Sequence, residues 1–379
     1  MTADTVPGGI YVHLPYCASR CGYCSFVVST DDSSRSAYFS ALETEIALAA
    51  REAQSAPFDS LYLGGGTPSL TPREELQRLI GRIRELFDVR EDAEVTLEAN
   101  PEDVTREAAR AWALAGVNRV SVGVQSLEDR ELEAVGRRHD AGRAREALAV
   151  LAASGFSVSA DLILGLPDQT EESFRASLRG VCETGVEHVS VYLLETEKSR
   201  TIQEDRRLQP ERYLGDDAQA ELWLELAQAL SDRGFVHYEI SNWARPGRQA
   251  RHNVKYWRRV PTLGLGVSAH ELWGERRRAN VSLIAQYIAT LSEGRRPTAL
   301  DSPLSREERA RERIVLGLRL SEGVDAAELE SRIAASGDAT LPGDYSAWRG
   351  EGLLEEALGR VRLTERGFLL SNEILCRFV

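Results

Sequence analysis

Between residues 10 and 195, short β-rich apolar runs alternate with helix-forming segments, and this alternation constrains the fold more than any other feature. The runs lie at 10–14, 60–63, 95–98, 120–124, 158–164 and 189–194. Their apolar character predicts parallel strands buried on both faces. Helix starts fall between them. Thr71-Pro72 precedes Glu74 and Glu75, Thr105 precedes Glu107, and Thr170 precedes Glu171 and Glu172. Each combines an N-cap hydroxyl with acidic residues that favour the positive end of a helix. Gly116, Gly155 and Gly185 mark helix ends. About six βα units imply an α/β fold, a barrel or a partial (β/α)6 TIM-like barrel rather than an open sheet with few crossovers.

From Pro210 onward the order changes. An amphipathic stretch at 211–233 leads to a strand at 236–240 and an irregular Arg/Gly/Pro-rich region at 242–280. A helix at 282–292, a linker at 294–303 and a helical end with a strand-turn pattern at 359–364 complete the chain. The expected organisation is a partial barrel at 8–205, a mixed α/β extension at 206–300 and a helical or winged-helix-like module at 301–379. The formal net charge of −13 excludes a chain that coats nucleic acid or anionic membrane over its whole surface. No signal peptide and no membrane-spanning run is read, so the expected location is the cytoplasm. Met1 is the sole methionine, which excludes an internal Met as a metal ligand.

Chemistry concentrates in Cys17-x3-Cys21-x2-Cys24, directly after the first apolar run. Three thiols within eight residues can face one centre. Close thiolate spacing of this kind suits an iron–sulfur cluster. Zinc is the alternative, with His13 as fourth ligand, although no second Cys/His cluster accompanies it. Cys182 and Cys376 read as buried bystanders. Gly64-Gly65-Gly66-Thr67-Pro68 follows the second run, where backbone without side chains lets a ligand approach closely. His13, Glu98, Gln125, Asp161 and Glu195 are expected at the ends of successive strands, the rim where parallel βα barrels gather ligand-binding groups.

The cysteine spacing, with Tyr23 before the last thiol, resembles the radical S-adenosylmethionine (SAM) superfamily. That resemblance implies a 4Fe–4S cluster held by Cys17, Cys21 and Cys24, its fourth iron chelating S-adenosylmethionine. It places the methionine part of that cofactor on residues 64–68. It implies cofactor contacts at Tyr11, Tyr23, Gly65, Gly66, Thr67, Glu98, Gln125, Arg137 and Asp161. A carboxylate such as Glu98 can accept from a ribose hydroxyl or an amino group, and Arg137 can pair with a carboxylate.

The segments Tyr-Val-His-Leu-Pro-Tyr-Cys, Leu-Tyr-Leu-Gly-Gly-Gly-Thr-Pro-Ser, Leu-Glu-Ala-Asn-Pro, Ser-Val-Gly-Val-Gln-Ser and Asp-Leu-Ile-Leu-Gly-Leu-Pro together resemble oxygen-independent coproporphyrinogen III oxidases and their relatives. Those oxidases carry a longer N-terminal arm and a further cysteine two residues after the third, where this chain has Phe26. Arg251-His252-Asn253-Val-Lys-Tyr256-Trp257 resembles the His-Asn-x-x-Tyr-Trp motif of HemW-type haem chaperones, which lack that cysteine. The resemblance implies haem bound through His252 and passed to an acceptor protein associated with respiration. Tyr256 and Trp257 offer flat faces to a macrocycle. Arg245, Arg248, Arg251, Lys255, Arg258, Arg259 and Arg276–Arg278 can meet two propionates. An exposed His252 in an irregular segment would suit release. Oxidation of coproporphyrinogen III is the enzymatic alternative. The basic run also admits peripheral membrane contact or a nucleic-acid-binding module, the latter disfavoured by the absence of interleaved aromatic residues.

Overall fold

The computed structural model describes residues 6–53 and 56–379. It divides into two compact units, one comprising 1–214 with 260–303 and the other 215–259 with 304–379.

The first unit begins with six βα steps. Its strands are β1 (Gly8–Leu14), β2 (Pro57–Gly65), β3 (Asp88–Ala99), β4 (Arg119–Gln125), β5 (Ser157–Leu164) and β6 (His188–Leu193). They pair parallel in chain order, with Tyr11 beside Tyr62, Tyr62 beside Thr96, Thr96 beside Arg119 and Arg119 beside Ser157. The intervening helices are α1 (Arg35–Ala53), α2 (Arg73–Leu86), α3 (Arg106–Ala115), α4 (Asp129–Ala134), α5 (Ala141–Ala153) and α6 (Glu171–Glu183), with α7 (Arg200–Leu208) after β6. Two of the three predicted caps form; α2 instead takes Pro72 as its N-cap, with no side-chain cap from Thr71. Thr105 accepts from the Ala108 amide, and Thr170 forms a reciprocal capping box with Ser173. Gly116 ends α3 in the left-handed region at φ 95°. The result is an α/β fold built on an open, partial barrel.

The strands alternate more strictly than expected. Leu61, Leu63, Val95, Leu97, Val120, Val122, Val158, Ala160, Leu162, Val189 and Val191 are buried on one face. The intervening positions are largely polar: Tyr11, Tyr62, Thr96, Glu98, Arg119, Ser121, Ser159, Asp161, His188 and Ser190. Side-chain bonds cross the strands on this second face, including Tyr62 to Glu98, Arg119 to Ser159 and Ser121 to Asp161. With a side-chain period of two, apolar content thus marks only one face. The expectation of strands apolar on both faces is corrected.

The irregular region and linker are also corrected. After the hairpin β7 (Val236–Glu239) and β8 (Asn242–Ala244) and a short helix at Arg251–Trp257, the chain contributes four more strands to the first unit. They are β9 (Thr262–Leu265), β10 (His270–Trp273), β11 (Arg276–Asn280) and β12 (Thr298–Pro303). β9 pairs parallel with β1, and the other three follow antiparallel. Residues 294–303 therefore end in an edge strand.

Glu45 of α1 ties this return to the barrel. It is fully buried and accepts from the Gly266 amide at 2.7 Å, the Asn280 amide group at 2.6 Å and the Tyr287 hydroxyl at 2.6 Å. Burial raises its pKa despite Arg296 and these donors.

In the second unit, a helix at Asp216–Ser231 precedes the β7–β8 hairpin, and a seven-residue helix, Arg251–Trp257, follows it. Helices Arg306–Gly317, Ala326–Ala335 and Leu341–Gly350 precede a hairpin of Leu354–Ala357 with Arg360–Leu363, which pairs with Val324–Asp325. Ile314, Leu318, Leu329, Val361, Leu363 and Phe368 form its core. Among the described residues, no helix is long and apolar enough to cross a membrane.

Glu45→Ala removes an acceptor shared by three buried donors. It is expected to cost about 3–5 kcal/mol, as when one partner of a buried charged network is deleted. A urea denaturation series against wild type measures this.

Candidate functional site

The loop between β1 and α1 carries the three cysteines. Its ends close on each other, since the Cys17 amide donates to Ser29 O at 2.9 Å and the Ser29 amide to Pro15 O at 2.7 Å. Its middle is held by the Gly22 amide on Val135 O at 3.0 Å and by the Ser199 hydroxyl on Gly22 O. His13 braces the same loop. Its Nε2 donates to Val27 O at 2.9 Å while Nδ1 accepts from the Tyr11 hydroxyl at 3.1 Å. Both ring nitrogens are thus engaged, which weighs against His13 as a metal ligand.

Each thiol meets one hydrogen-bond donor. The Thr67 hydroxyl donates to Cys17 Sγ at 3.3 Å, and Arg137 Nη1 to Cys21 Sγ at 3.6 Å. The Phe26 amide donates to Cys24. Burial pushes the Cys17 and Cys24 thiols up, and these donors act in the opposite sense. All three thiols are free and half-buried. Among the described residues, no three His, Cys, Asp or Glu side chains are gathered closely enough for a single ion. Cluster-bound thiolates sit at separate corners of a cubane and stand farther apart than ligands around one zinc.

The glycine loop lies against the cysteine loop. The Gly66 amide donates to Leu14 O at 2.8 Å and the Thr67 amide to Tyr16 O at 2.9 Å. A Cβ on Gly66 would come within 2.7 Å of Leu14 O, and one on Gly65 within 2.4 Å of the His13 ring. Gly65 also has φ 108°, so backbone geometry and space both require glycine there.

Glu98 accepts from the Tyr62 hydroxyl at 2.8 Å through Oε1 and from the Gly65 amide at 3.0 Å through Oε2. Burial, helped by Asp161, raises its pKa to about 7 against these two donors. Asp161 is also raised by burial, and Ser190 and Ser121 donate to it. It lies within β5 rather than at its end, which corrects the rim expectation for this residue. Glu195 does not join the group; it is exposed and paired with Lys198 at 2.7 Å. Gln125 ends β4 at φ 65°, and its Oε1 is buried with no hydrogen-bond partner among the described residues. That orphaned acceptor, the glycine cradle and the three donor-matched thiols fit a cluster with a polar ligand beside it.

Arg137 joins the pieces. Nη2 donates to Asn100 Oδ1 at 2.7 Å and Gly123 O at 2.8 Å, and Nη1 reaches Tyr23 Oη at 3.4 Å. Tyr23 packs against Val135, Ile163, Leu166 and Ile202. Sequence reasoning missed Asn100, Tyr62, Ser121 and Ser190. Asn100 had a signal in the Leu-Glu-Ala-Asn-Pro segment, two residues after Glu98.

His252 lies in the second unit. It is fully buried in the helix Arg251–Trp257, which corrects the expected exposed histidine in an irregular segment. Its Nε2 bonds the Tyr256 hydroxyl at 2.9 Å. Burial, and secondarily Lys255, lowers its pKa to about 3, so the imidazole is neutral. The basic run is divided between the two units. Arg258 and Arg259 pair with Glu322 and Glu312 in the second unit. Arg276 and Arg278 lie on β11 in the first, paired with Asp301, Glu52 and Glu271. Cys376 is exposed and Cys182 half-buried, so neither is the buried bystander expected.

The first unit thus sets three donor-matched thiols on the first loop of a parallel partial barrel. The Radical SAM superfamily model matches residues 11–180, and the HemN C-terminal domain model matches 304–370. The chain is 35% identical over 374 residues to the heme chaperone HemW of Mycobacterium tuberculosis, covering 97% of this chain and 94% of that one. It is 31% identical to HemW of Bacillus subtilis, covering 97% and 98%. The structure of coproporphyrinogen III oxidase (HemN) from Escherichia coli superimposes with TM-score 0.85 at 25% identity, covering 99% of this chain and 90% of that one. The chain belongs to the HemW family within the radical SAM superfamily.

The raised Glu98 pKa gives a pH signature. The folded state keeps the Glu98 proton up to about pH 7, whereas an unfolded glutamate loses it near its ordinary value of about 4.3. Wild-type stability is therefore expected to fall relative to Glu98→Gln as pH rises from about 4.5 to 7, then to run parallel. Urea midpoints of both proteins across pH 4.5–8.5 test the sign.

Proposed function

We propose that this chain is a haem chaperone that holds a 4Fe–4S cluster and S-adenosylmethionine, binds haem and passes it to an acceptor protein. Cys17, Cys21 and Cys24 would hold the cluster. Tyr11, Tyr23, Gly65, Gly66, Thr67, Glu98, Gln125, Arg137 and Asp161 would surround the adenosylmethionine. Bound there, the cluster and S-adenosylmethionine would supply one-electron radical chemistry. His252 would ligate the haem iron. The neutral imidazole is what supports the last assignment, because only an unprotonated ring nitrogen can bind a metal. The acceptor belongs to respiration in this reading, and the chaperone works in the cytoplasm.

The observation that carries the proposal is near-full-length similarity to HemW proteins together with Phe26 at the position of the oxidases' further cysteine. The fold shared with coproporphyrinogen III oxidase favours the second reading, oxidative decarboxylation of porphyrinogen propionates. Ion pairing of the arginines gives no support to a membrane or nucleic-acid patch.

The test titrates the anaerobically reconstituted protein with haem and assays coproporphyrinogen turnover in the same preparation. Stoichiometric haem binding that His252→Ala abolishes, with no turnover, is expected; robust protoporphyrinogen formation would establish the oxidase instead. Cys21→Ala should lose the broad brown iron–sulfur absorbance. Because the Tyr256 hydroxyl occupies His252 Nε2, Tyr256→Phe removes a competitor for the iron. It should speed haem association severalfold in stopped flow.

A further inference from the structure

Asn100 sits between two of the thiols without touching either. Its Nδ2 donates to Thr67 Oγ1 at 3.3 Å, and Thr67 donates onward to Cys17 Sγ at 3.3 Å. Its Oδ1 accepts from Arg137 Nη2 at 2.7 Å, and Nη1 of the same guanidinium reaches Cys21 Sγ at 3.6 Å. The chain of bonds therefore runs Cys17–Thr67–Asn100–Arg137–Cys21, across residues from four separate segments.

The direction of every bond follows from one group. A guanidinium carries only donors, so Oδ1 must face Arg137 and Nδ2 must face Thr67. Accepting that N–H commits a lone pair of the Thr67 oxygen and leaves the hydroxyl proton for the Cys17 sulfur. On the other side, Asn100 and Gly123 O together fix Nη2, and the planar fork then aims Nη1 at Cys21. Asn100 is itself held. Pro101 keeps it in extended backbone, at φ −92° and ψ 148°, and its amide donates to Ser69 Oγ at 3.4 Å.

We infer that Asn100 is a positioning residue that orients the hydrogen-bond donors on Cys17 and Cys21 and thereby tunes the reduction potential of the cluster. The inference rests on the proposal that these cysteines hold a 4Fe–4S cluster. Hydrogen bonds to cluster sulfurs draw negative charge from the iron and favour the reduced state. Without Asn100, the Thr67 hydroxyl rotates freely and Arg137 keeps only Gly123 O as an anchor for Nη2. Both sulfurs then become more electron-rich. The third thiolate takes its bond from the Phe26 backbone and is unaffected.

The test is an anaerobic redox titration followed by the electron paramagnetic resonance of the reduced cluster. It compares wild type, Asn100→Ala, Thr67→Val and their double variant, with iron and sulfide counted per chain. Asn100→Ala and Thr67→Val should each move the midpoint to more negative potential with full iron content. The double variant should shift by less than the sum of the single variants, because both weaken the Thr67 bond to Cys17 while Asn100 also acts through Arg137. Asn100→Ser is made alongside as a version that retains a polar group but is too short to hold both neighbours, and it should shift the same way even if the alanine variant folds poorly. Unchanged midpoints in fully loaded variants, or additive shifts, would overturn the inference. A wild-type protein that takes up no four-iron cluster would instead overturn the reading on which it rests.

Discussion

The site depends on two backbone hydrogen bonds that continue the pairing of β1 and β2 beyond their last residues. The amides of Gly66 and Thr67 reach Leu14 O and Tyr16 O, so the glycine loop is zipped against the start of the cysteine loop. This approach leaves no room for a Cβ at Gly65 or Gly66. It also delivers the Thr67 hydroxyl to Cys17 and the Gly65 amide to Glu98. Ligand loop, thiol loop and acidic residue are therefore placed by strand register, and the parallel sheet sets the geometry before any side chain is chosen.

The same sheet separates two kinds of chemistry by parity. Its apolar positions bury against the helices and supply the hydrophobic term of folding. Its polar positions hold Glu98 and Asp161 in surroundings that penalise their charge, with hydroxyls and amides offsetting part of that cost. In the second unit, burial acts on a base instead. It keeps the His252 imidazole neutral, with its Nε2 bonded to the Tyr256 hydroxyl.

Much of this was legible in the sequence because it follows from local rules. Six apolar runs became six strands, and Thr105 and Thr170 cap the helices they were expected to cap. The three cysteines stood out by their spacing, whereas the glycine triplet and Glu98, each weak alone, were singled out by their places at strand ends and by the family resemblance. The return of 262–303 to the sheet was not. These strands are four to six residues long, and the first, beginning at Thr262, pairs with β1 about 250 residues earlier, so no local period reveals them. The arginines misled for a related reason: Arg258 and Arg278 are near in sequence, yet each is neutralised by a carboxylate of its own unit. His252 read as exposed because a seven-residue helix leaves too short a pattern to show its buried side.

The bond from the Phe26 amide to Cys24 has a consequence for how this position can vary. The main chain, not the side chain, serves the sulfur, and the phenyl ring stands 64% exposed. Any amino acid with a backbone N–H can therefore stand there without disturbing the thiol, and only proline, which has none, is barred. Residue 26 is thus free to be recruited for a task of its own while the cysteine loop stays intact. A lineage can gain or lose a functional side chain at that point without having to rebuild the metal site beside it.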